Sequence, residues 1–302
     1  MPEDQMLREI PADYDSRLAQ KVTLPSGRLH WPELFYARPA GFRPLLLDVF
    51  TPGAAGPYPT VIWIHGGGWF QGYHTVTNQV VGKMAPFDRL LDAGYTVARI
   101  GYRLSGESQF PTQLHDCKAA VRYLRKHADA LRLDPKRFVA MGESAGGHLA
   151  CMLGLTGNRP ELEGEVGVTG PSSAVQAVVD WYGPTELLTM DEQLAPSTFQ
   201  PHDDPASPEA RLVGGPIQQV KDKTRAASPV TYVSPSAPPF LIQHGTADRI
   251  VPVGQGRVLA AALKKAGTRV EFVEVTGADH CFWGVDTTSI MPKVIAFLSS
   301  SL

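Results

Sequence analysis

The chain has 302 residues, is 43% hydrophobic and carries a formal net charge of −2 at pH 7. That is enough apolar mass for one large core, and the scattered Lys and Arg exclude the basic stripe of a nucleic-acid binder and the polybasic patch of an anionic-membrane binder. No apolar window approaches the roughly 20 residues that span a bilayer, and Cys117, Cys151 and Cys281, odd in number and dispersed, indicate reduced thiols rather than a disulfide framework.

Residues 1–40 are polar and interrupted by Pro11, Pro25, Pro32 and Pro39, so they read as a short N-terminal extension. The stretch from Met1 to Glu9 lacks the basic and apolar regions of a secretory signal, which points to the cytoplasm unless a signal was removed. Strands are predicted at 45–50 and 60–64. The second runs into His65-Gly66-Gly67-Gly68-Trp69, a loop whose glycines can turn backbone N–H groups inward. After a strand at 96–100, a helix is predicted over 114–127, where Leu114, Cys117, Val121 and Leu124 recur at helical spacing behind Pro111.

The apolar run 138–141 drives directly into Gly142-Glu143-Ser144-Ala145-Gly146. This has the form of a nucleophile elbow, a strained strand-to-helix turn that lifts a serine hydroxyl clear of the chain. Glycines at both ends are required because a Cβ there would strike the neighbouring strand and helix. The small apolar run from Gly147 to Leu153 is a buried helix whose N-terminus points at the serine. A strand at 175–179 follows. Residues 185–236, broken by Pro196, Pro201, Pro205, Pro208, Pro216 and Pro229 and thin in apolar residues, read as a lid-like insertion within a single domain, 1–302. The strand at 240–243 ends in His244-Gly245-Thr246-Ala247-Asp248. A helix at 255–265 closes at Gly267, the strand at 270–275 leads into Gly277-Ala278-Asp279-His280, and a last helix occupies 291–298. Apolar strands alternating with helices make an α/β class: a mostly parallel central sheet with helices on both faces.

The order Ser, Asp, His along the chain is that of α/β-hydrolases and differs from the chymotrypsin and subtilisin orders. On this reading Ser144 is the nucleophile, His280 its general base and then acid, and Asp248 the carboxylate that orients the imidazole. Asp279 is the rival carboxylate, disfavoured because sequence neighbours rarely fold back onto each other's ring nitrogen. The N–H groups of Gly67, Gly68 and Ala145 form an oxyanion hole. His65, Glu143 and His148 brace these loops. Trp69, Trp181 and Trp283 line an acyl or alcohol pocket, with core packing as the alternative. No cofactor is expected and no metal: His202-Asp203-Asp204 lacks metal-ligand spacing. Cys281, although beside His280, is read without a redox role.

Together, His65–Trp69, Gly142–Gly147, Tyr102-Arg103-Leu104-Ser105-Gly106-Glu107, Phe110-Pro111, Asp116-Cys117-Lys118-Ala119-Ala120, Val179-Asp180-Trp181-Tyr182-Gly183-Pro184 and His244–Asp248 resemble the hormone-sensitive-lipase-like branch of the α/β-hydrolases, and among these the bacterial acetyl and feruloyl esterases. The likeness runs from about Leu45 to the C-terminus. It implies a serine carboxylesterase acting through an acyl-enzyme. Relatives nearest the lipase carry long helical N-terminal caps, whereas residues 1–40 here are short and polar. An open site, short acyl chains or an ester on a bulky carrier, and aryl or cinnamoyl esters if the tryptophans form a pocket, are therefore expected. The same loops are similar to those of kynurenine formamidase, which leaves an arylformamidase or other amide hydrolase as the alternative; serine peptidases share the fold but usually carry a large extra domain. A non-catalytic ligand-binding homologue like the gibberellin receptor is disfavoured, because that receptor has lost the triad histidine. The expected partner is a small ester or acylated carrier, with no nucleic acid or membrane; a homo-oligomer is left open.

Overall fold

The computed structural model describes residues 16–194 and 201–302. The apolar runs lie side by side in one nine-stranded sheet, in the order β1-β2-β3-β5-β4-β6-β7-β8-β9. Strands β4 (Tyr58–Ile64), β5 (Thr96–Ile100), β6 (Leu133–Glu143), β7 (Ala177–Trp181), β8 (Phe240–Gly245) and β9 (Val270–Val275) run parallel. The antiparallel edge is made by β1 (Val22–Thr23), β2 (Leu29–Ala37) and β3 (Leu45–Thr51).

Successive side chains of a strand point to opposite faces, so each central strand feeds two cores. In β4, Ile62 and Ile64 join one cluster while Val61 and Trp63 join the other. The first face is covered by α3 (Thr112–Lys126), α5 (Ala145–Thr156) and α8 (Gly254–Lys265), and the second by α1 (Gln79–Lys83), α2 (Pro86–Asp92) and α9 (Ile290–Ser301). A single-turn helix, α4 (Ala128–Leu131), links α3 to β6. Parallel strands buried on both sides cannot alternate polar with apolar, which is why they read as unbroken apolar runs. Among the described residues no helix is long and apolar enough to cross a membrane.

The N-terminal segment departs from its expected character. Residues 29–37 form a sheet strand whose Trp31, Leu34 and Tyr36 are buried. Pro32 obscured it, because proline cannot donate to a ladder. The strand accommodates Pro32 at a register shift between Trp31 and Leu34, where Glu33 turns to φ 49° and gives its N–H to Asp48 Oδ1 at 2.7 Å. The expectation for residues 1–15 lies outside the described residues.

The 185–236 segment contains α6 (Pro208–Val213) and α7 (Lys221–Ala226) among short turns. Although sparse, its apolar residues are well placed: Leu187, Met190, Leu212, Val213 and Ile217 are all buried in the first core. Gln255 ties its start to α8, its Oε1 accepting N–H groups of Thr185 at 2.8 Å and Glu186 at 2.7 Å. The part of the insertion at 195–200, including Pro196, lies outside the described residues. Strand β7 ends two residues beyond its predicted end because Asp180 continues it. This carboxyl is fully buried, accepts Gly183 N–H at 2.9 Å, and is pushed up to about 6 by burial.

Candidate active site

At the end of β6 the backbone turns sharply into α5, and Ser144 at the turn adopts φ 53°, ψ −121°. Few L-residues adopt such a conformation, and here the surroundings enforce it. Ser144 N–H bonds to Trp181 O at 2.8 Å, while His148 N–H bonds back to Ser144 O at 3.0 Å. The serine therefore stands at the junction of β6, β7 and α5.

His280 arrives from the loop after β9. Asp279 Oδ1 accepts the His280 N–H at 2.8 Å, and Cys281 and Phe282 follow in left-handed conformations that reverse the chain. The reversal aims the ring inward. His280 Nε2 lies 3.0 Å from Ser144 Oγ and Nδ1 lies 2.8 Å from Asp248 Oδ2. A carboxylate can only accept, so the ring proton sits on Nδ1 and Nε2 is left to receive the serine hydroxyl.

Asp248 follows β8. Its Oδ1 accepts the N–H groups of Ile250 at 2.9 Å and Val251 at 2.8 Å, which leaves Oδ2 for the imidazole. Burial alone would raise this carboxyl, but the electrostatic attraction and hydrogen bonds of His280 and His244 outweigh it and hold Asp248 well below the usual carboxylate range. His244 is fully buried, with Nε2 3.4 Å from Asp248 Oδ2. Asp279, the rival, is committed elsewhere: it accepts Arg249 Nε at 2.7 Å and Arg249 N–H at 3.0 Å.

The loop after β4 carries Gly67 at φ 105°, Gly68 at φ 57° and Trp69 at φ 59°. At Gly67 a Cβ would lie 2.3 Å from Gln71 O, so only glycine fits. His65 braces the loop, its Nδ1 donating to Gly66 O at 2.8 Å with the ring stacked on Tyr102. Burial pushes His65 down to about 4, so it is a neutral prop. Glu143, raised by burial, accepts from Tyr182 Oη at 3.0 Å and from the Asn78 side chain. Gly67, Gly68, Ala145, Ser144 and His280 all line one cavity of about 600 Å³.

The tryptophans divide. Trp69 lines this cavity although it is 1% exposed. Trp181 does not: it is buried in the second core, edge-on to Trp63 and Phe282, with Nε1 donating to Gln243 Oε1 at 2.9 Å. A strand residue beneath the elbow faces the helices, not the crevice. Trp283 also lies outside the cavity lining; its side chain is exposed, and its backbone closes the His280 turn through a bridge to Asp279. Val76, Pro208 and Ile250 also wall the cavity, and nothing in their residue types or spacing marks them in the sequence. His202 pairs its Nδ1 with Glu209 Oε1 at 3.1 Å, and among the described residues no group of three His, Cys, Asp or Glu could hold a metal.

Cys281 lines the same cavity, yet burial, with Glu143 nearby, pushes its thiol up to about 12. A thiol so disposed is almost wholly protonated at pH 7.5, with a thiolate fraction about a thousandfold below that of a free cysteine. Iodoacetamide is therefore expected to alkylate Cys281 about a thousandfold more slowly than glutathione. Mass spectrometry of the labelled peptide checks this, and rapid labelling would contradict it.

The BD-FAE family profile matches residues 47–263. The chain belongs to the BD-FAE family. It is similar to the esterase LipQ of Mycobacterium tuberculosis (strain ATCC 25618 / H37Rv), 31% identical over 91% of this chain, and spans 60% of LipQ's own length. Among solved structures, the BD-FAE chain resembles a truncated carbohydrate esterase from gut microbiota, with a TM-score of 0.79 and 30% identity over 92% of this chain and 98% of that one. It is also similar to the thermophilic esterase Est2 of Thermogutta terrifontis in a propionate-bound form, with a TM-score of 0.67 and 27% identity over 88% of this chain and 91% of the other. The α/β-hydrolase fold expected of the BD-FAE chain is thus the fold it has.

Proposed function

We propose that the protein is a serine carboxylesterase that hydrolyses short-chain acyl esters through an acyl-enzyme. The observation that carries this reading is the continuous relay from Ser144 Oγ through His280 to Asp248, with contacts of 3.0 and 2.8 Å, at the wall of a cavity. In it, Ser144 Oγ attacks the ester carbonyl as His280 Nε2 takes its proton. The carbonyl oxygen becomes an oxyanion held by the N–H groups of Ala145, Gly67 and Gly68, each contributing roughly 3 kcal/mol in the transition state. Collapse expels the alkoxide, which leaves with the proton from His280. Water, deprotonated by the same imidazole, then attacks the acyl-enzyme and releases the carboxylic acid and free Ser144. Throughout, Asp248 fixes the tautomer and balances the imidazolium charge.

A cavity of about 600 Å³ walled by Pro184, Pro208, Ile250 and Val251 suits a small acyl group and leaves the alcohol free to project outward. The carbohydrate esterase likeness and the propionate held by the Thermogutta relative support acetyl to butyryl groups on a bulky carrier such as a sugar. Nitrophenyl esters from acetate to laurate, beside acetylated xylan, methyl ferulate and N-formylkynurenine, are the test. Acetate to butyrate is expected to turn over best, with a steep decline by octanoate, and a fluorophosphonate is expected to label Ser144 stoichiometrically. A laurate optimum would overturn the short-acyl assignment. Faster turnover of N-formylkynurenine than of any ester would move the protein to the formamidases.

A further inference from the structure

The oxyanion hole proposed above is built from two pieces of chain that meet only in space. Ala145 belongs to the elbow helix α5, whereas Gly67 and Gly68 belong to the loop that leaves the sheet after β4. The sheet fixes the loop only as far as Ile64, which pairs with Gly142 of β6. Beyond that point the spacing of the two pieces needs its own fastening. At the near end, Gly66 packs so closely on Glu143 that a Cβ there would lie 2.9 Å from Glu143 O and 3.3 Å from its Cγ. At the far end, Trp69 Nε1 donates to His148 Nδ1 at 3.2 Å, with the two rings edge-on at 5.1 Å. Gly67 and Gly68 are suspended between these anchors.

We infer that His148 is the positioning residue that sets the gap between the two halves of the oxyanion hole, acting through the Trp69 indole; the inference rests on the serine-esterase reading. His148 stands on α5 one turn after the nucleophile, so it moves rigidly with Ala145. Its ring is fully buried, with Phe110 packed edge-on at 6.4 Å. Its other nitrogen, Nε2, lies 2.6 Å from Ala227 O at the end of α7. The partners dictate the tautomer: a carbonyl only accepts and an indole only donates, so Nε2 carries the proton and Nδ1 presents its lone pair to Trp69. Burial holds the ring neutral, its titration lowered to about 4, which keeps that lone pair available. A charged imidazole would set two N–H groups against each other. The backbone of Trp69 is fastened as well, its carbonyl accepting Ser105 N–H at 2.8 Å. Loosening the indole therefore frees the loop on the side facing α5 while its outer side stays attached. The same ring also couples the 185–236 insertion to the loop, since Ala227 lies within that insertion.

The experiment compares Trp69→Phe, His148→Leu, His148→Asn and the Trp69→Phe/His148→Leu pair in nitrophenyl acetate hydrolysis. Phenylalanine keeps a ring but removes the indole donor. Asparagine offers an acceptor oxygen close to the position of Nδ1. Because the oxyanion is absent from the bound ester and develops only on the way to the tetrahedral intermediate, Trp69→Phe and His148→Leu are each expected to lower kcat about tenfold or more with KM within about twofold. The pair is expected to be no worse than His148→Leu alone, and His148→Asn to recover most of kcat. Affinity for a trifluoromethyl ketone that adds to Ser144 is expected to fall in step with kcat/KM across the series. Additive losses, a rise in KM with kcat unchanged, or no rescue by asparagine in a folded variant would overturn the tether. Failure of the wild type to label with fluorophosphonate would instead remove the esterase reading beneath it.

Discussion

Replacing Asp248 with asparagine is expected to lower kcat for nitrophenyl acetate by about 10⁴-fold while leaving KM nearly unchanged. The two carboxylate oxygens have separate tasks. Oδ1 accepts the N–H groups of Ile250 and Val251, and an asparagine oxygen can keep both. Oδ2 accepts from His280 Nδ1, and there the substitution presents an amide donor. The imidazole must then place its lone pair on Nδ1 and its proton on Nε2, so the ring donates to Ser144 Oγ and cannot take its proton. Steady-state kinetics beside a thermal melt checks this: folding preserved with turnover lost is the expected pattern, and a rate within tenfold of wild type would transfer the role to another carboxylate. Asp279→Asn is the control. Since Asp279 serves Arg249 and caps the His280 N–H, its replacement is expected to cost less than about tenfold. Acid stability offers a second test of Asp248. Asp248 has a folded pKa held below its ordinary value of about 4, so its charge stabilises the fold above that pH, and the stabilisation is lost as pH falls below it. The Asp248→Asn variant is expected to lack that part of the acid dependence.

The parallel strands and the elbow were legible because their residues have one job each. Strands buried on both faces must be apolar throughout, and the Gly-x-Ser-x-Gly spacing serves a backbone conformation that little else requires. The relation of Ser144, Asp248 and His280 followed from strand order, since loops at the C-terminal ends of neighbouring parallel strands gather at one edge. Residues with two possible jobs were not legible. Trp181 has the composition of a pocket residue, but which way a side chain at a strand's end points depends on register, and register placed it in the core. Pro32 argued against a strand that is present, because a register shift excuses the missing donor. His148 was legible as a support of the elbow but not as a link to Trp69, which is 79 residues away and meets it only once the sheet has assembled.

Gly146→Ala is expected to destabilise the fold by about 3 kcal/mol or more and to abolish turnover. A Cβ at this position would lie 2.1 Å from Ile64 O and 2.7 Å from His65 O. Both are backbone atoms at the end of β4, where the sheet gives way to the glycine loop, so no rotamer change relieves the overlap. Either α5 withdraws from the sheet, carrying Ser144 and Ala145 away from His280 and Gly67, or β4 shifts and disrupts its pairing with β6. Gly142 faces the same constraint from the other side, since its Cβ would lie 2.3 Å from Gly146 O. The two glycines thus interlock strand and helix at van der Waals distance, and the strained serine between them is held by that contact. Gly82, within α1, is the internal control. Its Cβ would meet nothing closer than Thr77 Oγ1 at 3.7 Å, so Gly82→Ala is expected to stabilise the protein by about 0.5–1 kcal/mol through lower unfolded-state entropy. Thermal denaturation of both variants reads the contrast, the melting temperature of Gly146→Ala falling by about 5 °C or more. A folded Gly146→Ala enzyme with wild-type turnover would mean that the elbow is not held by this contact.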